Sequence, residues 1–126
     1  MARVLVIEDD TQVSDVVRRI LIRFGHEVDV AEGGRAGMLA FESDPPDVVI
    51  TDINMPSMDG IEVIREVRAL GRDVPVIAIS GGGLMPKELL LANAAALGAV
   101  EVLRKPFEAS ELLDRIDRAL TVGQAG

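Results

Sequence analysis

The apolar run Val48-Val49-Ile50-Thr51 ends in Asp52 and indicates the class of the fold. The run does not alternate between apolar and polar residues, which is typical of a strand buried on both faces of a parallel sheet. A carboxylate at the end of such a strand is costly to remove from water unless something there uses it. Ile53-Asn54-Met55-Pro56 and the turn Asp59-Gly60 come directly after it. We therefore expect Asp52 to lie at a functional edge of the sheet.

Three further short runs end in polar side chains in the same way. Val4-Leu5-Val6-Ile7 leads to Glu8-Asp9-Asp10, Val76-Ile77-Ala78-Ile79 leads to Ser80, and Val100 to Leu103 leads to Lys105-Pro106. Ligands of such sheets bind beyond the carboxyl ends of the strands, so these acids, the hydroxyl and the ammonium group are expected to lie together. This convergence predicts a phosphoryl-transfer site that takes a divalent metal ion.

Between these runs the hydrophobic period switches repeatedly to that of a helix, which indicates five βα units. The predicted strands are Arg3–Ile7, Glu27–Ala31, Val48–Thr51, Val76–Ser80 and Val100–Leu103. The predicted helices run from Thr11 to Phe24, through Ala36 to Phe41, from the cap Asp59 through Leu70, up to about Leu97-Gly98, and through Leu112 to Leu120. The first helix is expected to place one stripe on the sheet: Val13, Val16, Val17, Ile20, Leu21 and Phe24. The fold class is α/β, with helices on both faces of a parallel sheet.

Length and composition limit the possible classes of protein. A chain of 126 residues with 48% apolar residues forms one domain, which we expect to span 1–120 and to leave a short frayed tail at 121–126. No apolar stretch approaches the roughly 20 residues of a membrane helix, cysteine is absent, and the start does not have the form of a secretory signal. A cytoplasmic location is therefore expected. The net charge of −8 and the lack of Trp and Tyr argue against direct binding of nucleic acid.

Charge balance makes the predicted site more specific. Glu8, Asp9 and Asp52 would repel one another unless cations were present, and Mg²⁺ prefers such oxygen ligands. Three acids, the Lys105 ammonium and one Mg²⁺ sum to zero charge. An incoming phosphoryl group would then be held by the metal, Lys105 and the Ser80 hydroxyl. Asp52 is the predicted nucleophile, because it alone follows a central strand and can attack in line.

With these residues in place, the chain resembles the receiver domain of two-component response regulators, specifically a stand-alone, chemotaxis-regulator-like one. The resemblance covers essentially the whole chain and rests on five motifs in order: Leu5-Val6-Ile7-Glu8-Asp9, Asp52-Ile53-Asn54-Met55-Pro56, Met58-Asp59-Gly60, Ile79-Ser80-Gly81 and Lys105-Pro106-Phe107. It implies a flavodoxin-like, doubly wound (βα)5 fold with strand order 2-1-3-4-5. The implied partners are a sensor histidine kinase or phosphotransfer protein, which the first helix would contact, and a downstream protein target.

The resemblance also implies roles for individual residues. Asp52 would accept the phosphoryl group, and Asp9 and Asp52 would bind Mg²⁺ directly together with the main-chain carbonyl of Asn54. Glu8 would act on the metal through water. The Lys105-Pro106 peptide bond would be cis. Such a protein is a phosphoacceptor signalling domain rather than an enzyme with turnover, although it catalyses its own phosphorylation and a slow autodephosphorylation.

Three positions depart from the usual pattern of the family. Val102 stands three positions before Lys105, where members usually carry an aromatic residue that moves on activation. Gly82 stands two positions after Ser80, where many members have an acid or amide that influences hydrolysis. The Gly81–Pro86 loop is longer than in compact members. These departures leave the predicted chemistry intact but change how the signal is read out.

Two other classes of function compete with this interpretation. An aspartate-nucleophile, Mg²⁺-dependent phosphatase of the haloacid-dehalogenase type would carry a D-x-D motif, which is Asp52-Ile53-Asn54 here and lacks the second acid. A small flavodoxin-like binding module would need an aromatic residue to stack a flavin, and neither Trp nor Tyr is present.

Asp10 is expected to be a solvated charge in the first turn of the first helix.

Overall fold

The protein is described here by a computed structural model, which defines residues 2–53, 60–70, 73–81, 98–99 and 101–125. Its five strands are β1 (Arg3–Ile7), β2 (Glu27–Ala31), β3 (Val48–Asp52), β4 (Val76–Gly81) and β5 (Glu101–Lys105). The helices within the described residues are α1 (Thr11–Arg23), α2 (Gly34–Ser43), α3 (Gly60–Ala69) and α4 (Ala109–Ala125). None of these described helices is long and apolar enough to span a bilayer.

All five strands are parallel and form one sheet in the order β2-β1-β3-β4-β5, which confirms the predicted flavodoxin-like topology. The chain first moves outward from β1 to β2 and then returns to place β3 on the other side of β1. This reversal creates the switch point at which ligands of such sheets bind. Asp52 ends β3 opposite Ile79, and Lys105 ends β5 opposite Gly81, so the strand ends are level with one another.

Two hydrophobic cores lie on the two faces of the sheet. One face packs β-strand residues against Met38 and Phe41 of α2 and against the buried valines and isoleucine of α3. The other face packs Val17 and Leu21 of α1 and three residues of α4, Leu112, Ile116 and Ala119. Because both faces are covered, the central strands β1, β3 and β4 consist largely of continuous apolar runs, as the sequence indicated.

The packing of α1 corrects part of the predicted apolar stripe. Val17 and Leu21 are fully buried, but Val16 is 53% exposed and Phe24 is 57% exposed. Val16 is one residue from Val17, a rotation of about 100° around the helix, which turns it away from the sheet. Phe24 is the C-cap residue with φ −99° and ψ 17°, so it leaves the helical path before it could continue the stripe.

Three boundaries differ from the prediction at the carboxyl end of the chain. β5 spans Glu101–Lys105 rather than 100–103, because its pairing with β4 continues through Arg104 and Lys105. The C-terminal helix α4 extends to Ala125 and so enters the segment predicted as a frayed tail. The helix predicted before Gly98 and the predicted cap Asp59 lie outside the described residues.

Arg3 holds together the edge of the sheet opposite the predicted site. Its guanidinium lies 3.1 Å from Asp29 on β2 and 2.9 Å from Asp44 after α2. Its backbone N–H donates to Asp47 Oδ2 at 2.8 Å. One residue therefore ties the starts of β1 and β3 to the edge strand β2.

Candidate functional site

The site is built where the central strands end. Glu8 directly follows β1 and is 1% exposed, and Asp52 is the last residue of β3 and is 5% exposed. Asp9, next along the chain, is exposed to solvent. Two buried carboxylates and one exposed carboxylate therefore lie together at this edge of the sheet.

Lys105 reaches the acidic cluster from the last position of β5. Its Nζ donates to Glu8 Oε1 at 3.0 Å and to Asp52 Oδ2 at 3.3 Å. The Lys105-Pro106 peptide bond is cis, as the resemblance to receiver domains implied. The ammonium thus joins the ends of three strands, and it is the only side chain in the described residues seen to bridge both buried acids.

The three predicted acids come together. Carboxylate oxygens of Glu8, Asp9 and Asp52 lie within 4.8 Å of one another. The described part of this cluster offers oxygen ligands, which suits a hard cation such as Mg²⁺ rather than a soft or imidazole-bound metal. The residues present therefore fit the metal that the sequence predicted.

The buried carboxylates of Glu8 and Asp52 favour a further positive charge beside them. The pKa of Glu8 is raised from 4.5 to about 7, chiefly by burial and also by the neighbouring Asp52 carboxylate, while the hydrogen bond from Lys105 opposes both. Burial acts to lower the pKa of Lys105, but Glu8 and Asp52 outweigh that effect and raise it. One ammonium group therefore does not fully compensate the two buried carboxylates.

Asp10 has a role that the sequence analysis missed. It is the N-cap of α1 rather than a charge in its first turn, and its carboxylate accepts a hydrogen bond from Gln12 N at 2.9 Å. Its own backbone N–H donates to Glu8 Oε2 at 3.3 Å. A capping box requires Glu or Gln three residues after the cap, where Val13 stands here. The preference of Asp for the cap position was therefore the only signal of this role in the sequence.

Of the four other residues that the sequence analysis singled out, the structure describes two. Ser80 is half-buried in β4, one residue beyond the partner of Asp52. Val102 is 8% exposed, opposite Ala78, and packs in the core shared with α2 and α3. Asn54 and Gly82 lie outside the described residues.

Comparison with known proteins agrees with this fold. The chain belongs to the response regulator receiver domain family, whose sequence pattern matches residues 4–117. Response regulator MprA of Mycolicibacterium vanbaalenii is 38% identical over 118 residues, which cover 94% of this chain and 49% of that protein. The chain thus spans about half the length of the curated relatives that it matches.

Solved structures give the same result. A response regulator receiver domain protein from Clostridium thermocellum is 31% identical with a TM-score of 0.89, over 99% of this chain and 98% of that one. The chemotaxis protein CheY4 of Vibrio cholerae is 30% identical with a TM-score of 0.85, over 94% and 98% of the two chains. The chain is therefore a signalling domain of two-component systems, and the phosphatase and flavin-binding alternatives are set aside.

Proposed function

We propose that this receiver domain accepts a phosphoryl group on Asp52 from a histidine kinase or phosphotransfer protein. The observation that carries the proposal is the Lys105 ammonium held between Glu8 and Asp52 at the ends of three strands. A cation in this position can hold an oxygen of a phosphoryl group that arrives at Asp52. The half-buried Ser80, at the end of the neighbouring strand, would supply a hydroxyl hydrogen bond.

The transfer itself needs little covalent chemistry from the protein. The bond between phosphorus and the imidazole nitrogen of the phosphohistidine breaks, and a bond to an Asp52 carboxylate oxygen forms. The imidazole nitrogen then takes up a proton from solvent. The protein's contribution is to position the carboxylate in line and to neutralise the charge that gathers on the phosphoryl oxygens.

The acidic cluster would hold Mg²⁺ through Asp9 and Asp52, with Glu8 acting through water and the Asn54 carbonyl as a further ligand. A bound Mg²⁺ supplies positive charge for the phosphoryl oxygens during transfer. Lys105 donates to both Glu8 and Asp52 and so holds the Asp52 carboxylate at the end of β3, while Asp9 lies exposed beside them.

After the transfer, the phosphorylated domain is proposed to act as a switch. The domain acts in the cytoplasm, catalyses its own phosphorylation and slow dephosphorylation, and changes its surface for a downstream protein target. Gly82 supports the slow loss of the phosphoryl group, since glycine offers no side-chain group to orient a water molecule. Residues 1–120 would form the receiver unit.

The proposal is tested with acetyl phosphate as the phosphodonor, with intact mass as the readout. We expect one added phosphoryl group for each chain with Mg²⁺, and none after chelation with EDTA. Asp52→Asn should not be modified, whereas the control Asp47→Asn, an exposed acid at the opposite edge of the sheet, should behave as the wild type. Sustained release of phosphate without a stoichiometric adduct would instead show a phosphatase.

A further inference from the structure

The segment from Glu8 to Ser14 is a continuous chain of hydrogen bonds that begins at the site and ends in α1. Glu8 N donates to Ala31 O at 3.0 Å, which extends the pairing of β1 with β2. Asp10 N donates to Glu8 Oε2 at 3.3 Å. Gln12 N donates to Asp10 Oδ1 at 2.9 Å, and Ser14 N donates to Asp10 O at 3.0 Å.

Asp9 lies in the middle of this segment with less support than its neighbours. It is exposed, and its side chain makes no hydrogen bond or ion pair with any residue that the structure describes. Its carboxylate nevertheless lies with those of Glu8 and Asp52 in the acidic cluster. The direction of the Asp9 side chain is therefore set by the backbone on either side, which Glu8 fixes before it and Asp10 fixes after it.

We propose that Asp10 is a positioning residue for the metal site, which it serves by capping α1. The cap holds Asp10 in an extended conformation, φ −84° and ψ 109°, and this conformation aims its N–H at Glu8. The carboxylate that caps the helix thereby fixes the turn that presents Asp9. Asp10 itself stays outside the cluster of three acids. This inference rests on the proposed function, because it takes the acidic cluster to be the Mg²⁺ site.

Asp10 could also help the metal simply through its negative charge, and the two effects can be separated. Asn and Ser cap helices about as well as Asp does, but they carry no charge, whereas Ala neither caps nor carries a charge. If the cap matters, Asp10→Asn and Asp10→Ser behave like the wild type and Asp10→Ala does not. If the charge matters, all three variants weaken the site alike.

The experiment measures the Mg²⁺ affinity of the unphosphorylated 126-residue chain by isothermal titration calorimetry, with phosphorylation by acetyl phosphate as a second readout. We expect the Mg²⁺ dissociation constant of Asp10→Ala to rise about three- to ten-fold, the size of effect that loss of a cap has on a local equilibrium. For Asp10→Asn and Asp10→Ser it should stay within about two-fold of the wild type. Equal weakening in all three variants, or none in Asp10→Ala, would overturn the inference.

A matched control separates this effect from a general loss of stability. Arg3→Ala removes the ion pairs at the opposite edge of the same sheet and leaves the Glu8–Ser14 segment unchanged. It should lower the free energy of unfolding without changing Mg²⁺ affinity. If the wild type binds no Mg²⁺ and takes up no phosphoryl group, the proposed function fails. If the wild type does both and Asp10→Ala does so equally well, only the role of Asp10 fails.

Discussion

At the scale of single residues, Glu8 is the buried acid of the site whose pKa is raised. It is fully buried beside Asp52, and burial raises its pKa to about 7 even though Lys105 donates to it at 3.0 Å. Glu8 therefore binds a proton more tightly in the folded protein than in the unfolded chain. The stability that Glu8 contributes is greatest while it is protonated in both states and falls as the pH rises from about 4.5 to about 7.

We predict that Glu8→Gln flattens this part of the pH profile. In metal-free buffer, the free energy of unfolding of the wild type should fall between pH 5 and pH 8 relative to that of the variant, by on the order of 1–3 kcal/mol. Urea unfolding at several pH values measures the difference. Saturating Mg²⁺ should reduce the fall in the wild type, because a cation favours the charged carboxylate. Identical slopes for the two proteins without Mg²⁺ would contradict this account of Glu8.

Single residues also show where the sequence was sufficient and where it was not. The proximity of Glu8, Asp9, Asp52 and Lys105 could be predicted because each follows or ends a strand, and parallel strand ends lie at one edge of the sheet. The cap at Asp10 could not be distinguished from a solvated charge, because a single acid before a helix fits both roles. Its contact with Glu8 depends on a backbone conformation that no residue pattern specifies.

At the scale of elements, α2 and β1 are packed too closely for a side chain at Gly37. A Cβ on this residue would lie 2.5 Å from Ile7 Cδ1, and Ile7 is fully buried one residue before Glu8. The absent side chain thus sets the distance between α2 and the strand that ends in the site. The sequence showed only a glycine in a helix, without its partner.

We predict that Gly37→Ala destabilises the protein by about 1–3 kcal/mol through overpacking, less the roughly 1 kcal/mol that alanine gains over glycine in a helix. Chemical unfolding measures the change. Combining it with Ile7→Val, which removes the nearest of the clashing atoms, should cost less than the sum of the two single changes. Strictly additive costs would show that the contact with Ile7 is not what limits this position.

Elements also differ in how well periodicity located them. The bounds of β1 and β2 were predicted correctly, because the apolar run of β1 ends at acidic residues and glycines lie close to both ends of β2. The end of β5 was missed because Arg104 and Lys105 are polar, yet an edge strand faces water and does not need apolar residues at its end. The hydrophobic period of the sequence could not give the strand order, which came from the resemblance to a known family.

At the scale of the whole molecule, the proposed phosphorylation of Asp52 would have to change the surface of the domain. Val102 is buried against the α2 and α3 side of the sheet and has no ring to move behind a displaced hydroxyl. Ser80 should still move toward the phosphoryl group, since a hydroxyl gains a charge-assisted hydrogen bond there. We therefore place the switch in the Gly81–Pro86 loop, most of which lies outside the described residues.

Hydrogen exchange of the wild type with and without a beryllofluoride phosphate mimic should detect this switch. We predict that the change in protection is concentrated in residues 81–90, with little change at Val102. Protection that changed only in β5 would locate the switch elsewhere.

Gly82→Glu should in turn speed the loss of the phosphoryl group, because it adds a carboxylate that can orient a water molecule.

We propose that the converging acids and Lys105 make Asp52 the phosphoacceptor, and the chemical position of the phosphoryl group shows whether they do. After treatment with acetyl phosphate and Mg²⁺, borohydride reduction converts an aspartyl phosphate to homoserine, which peptide mass spectrometry can locate. We predict homoserine at position 52 alone. Homoserine at Asp9 or at another acid, with Asp52 unchanged, would contradict the account.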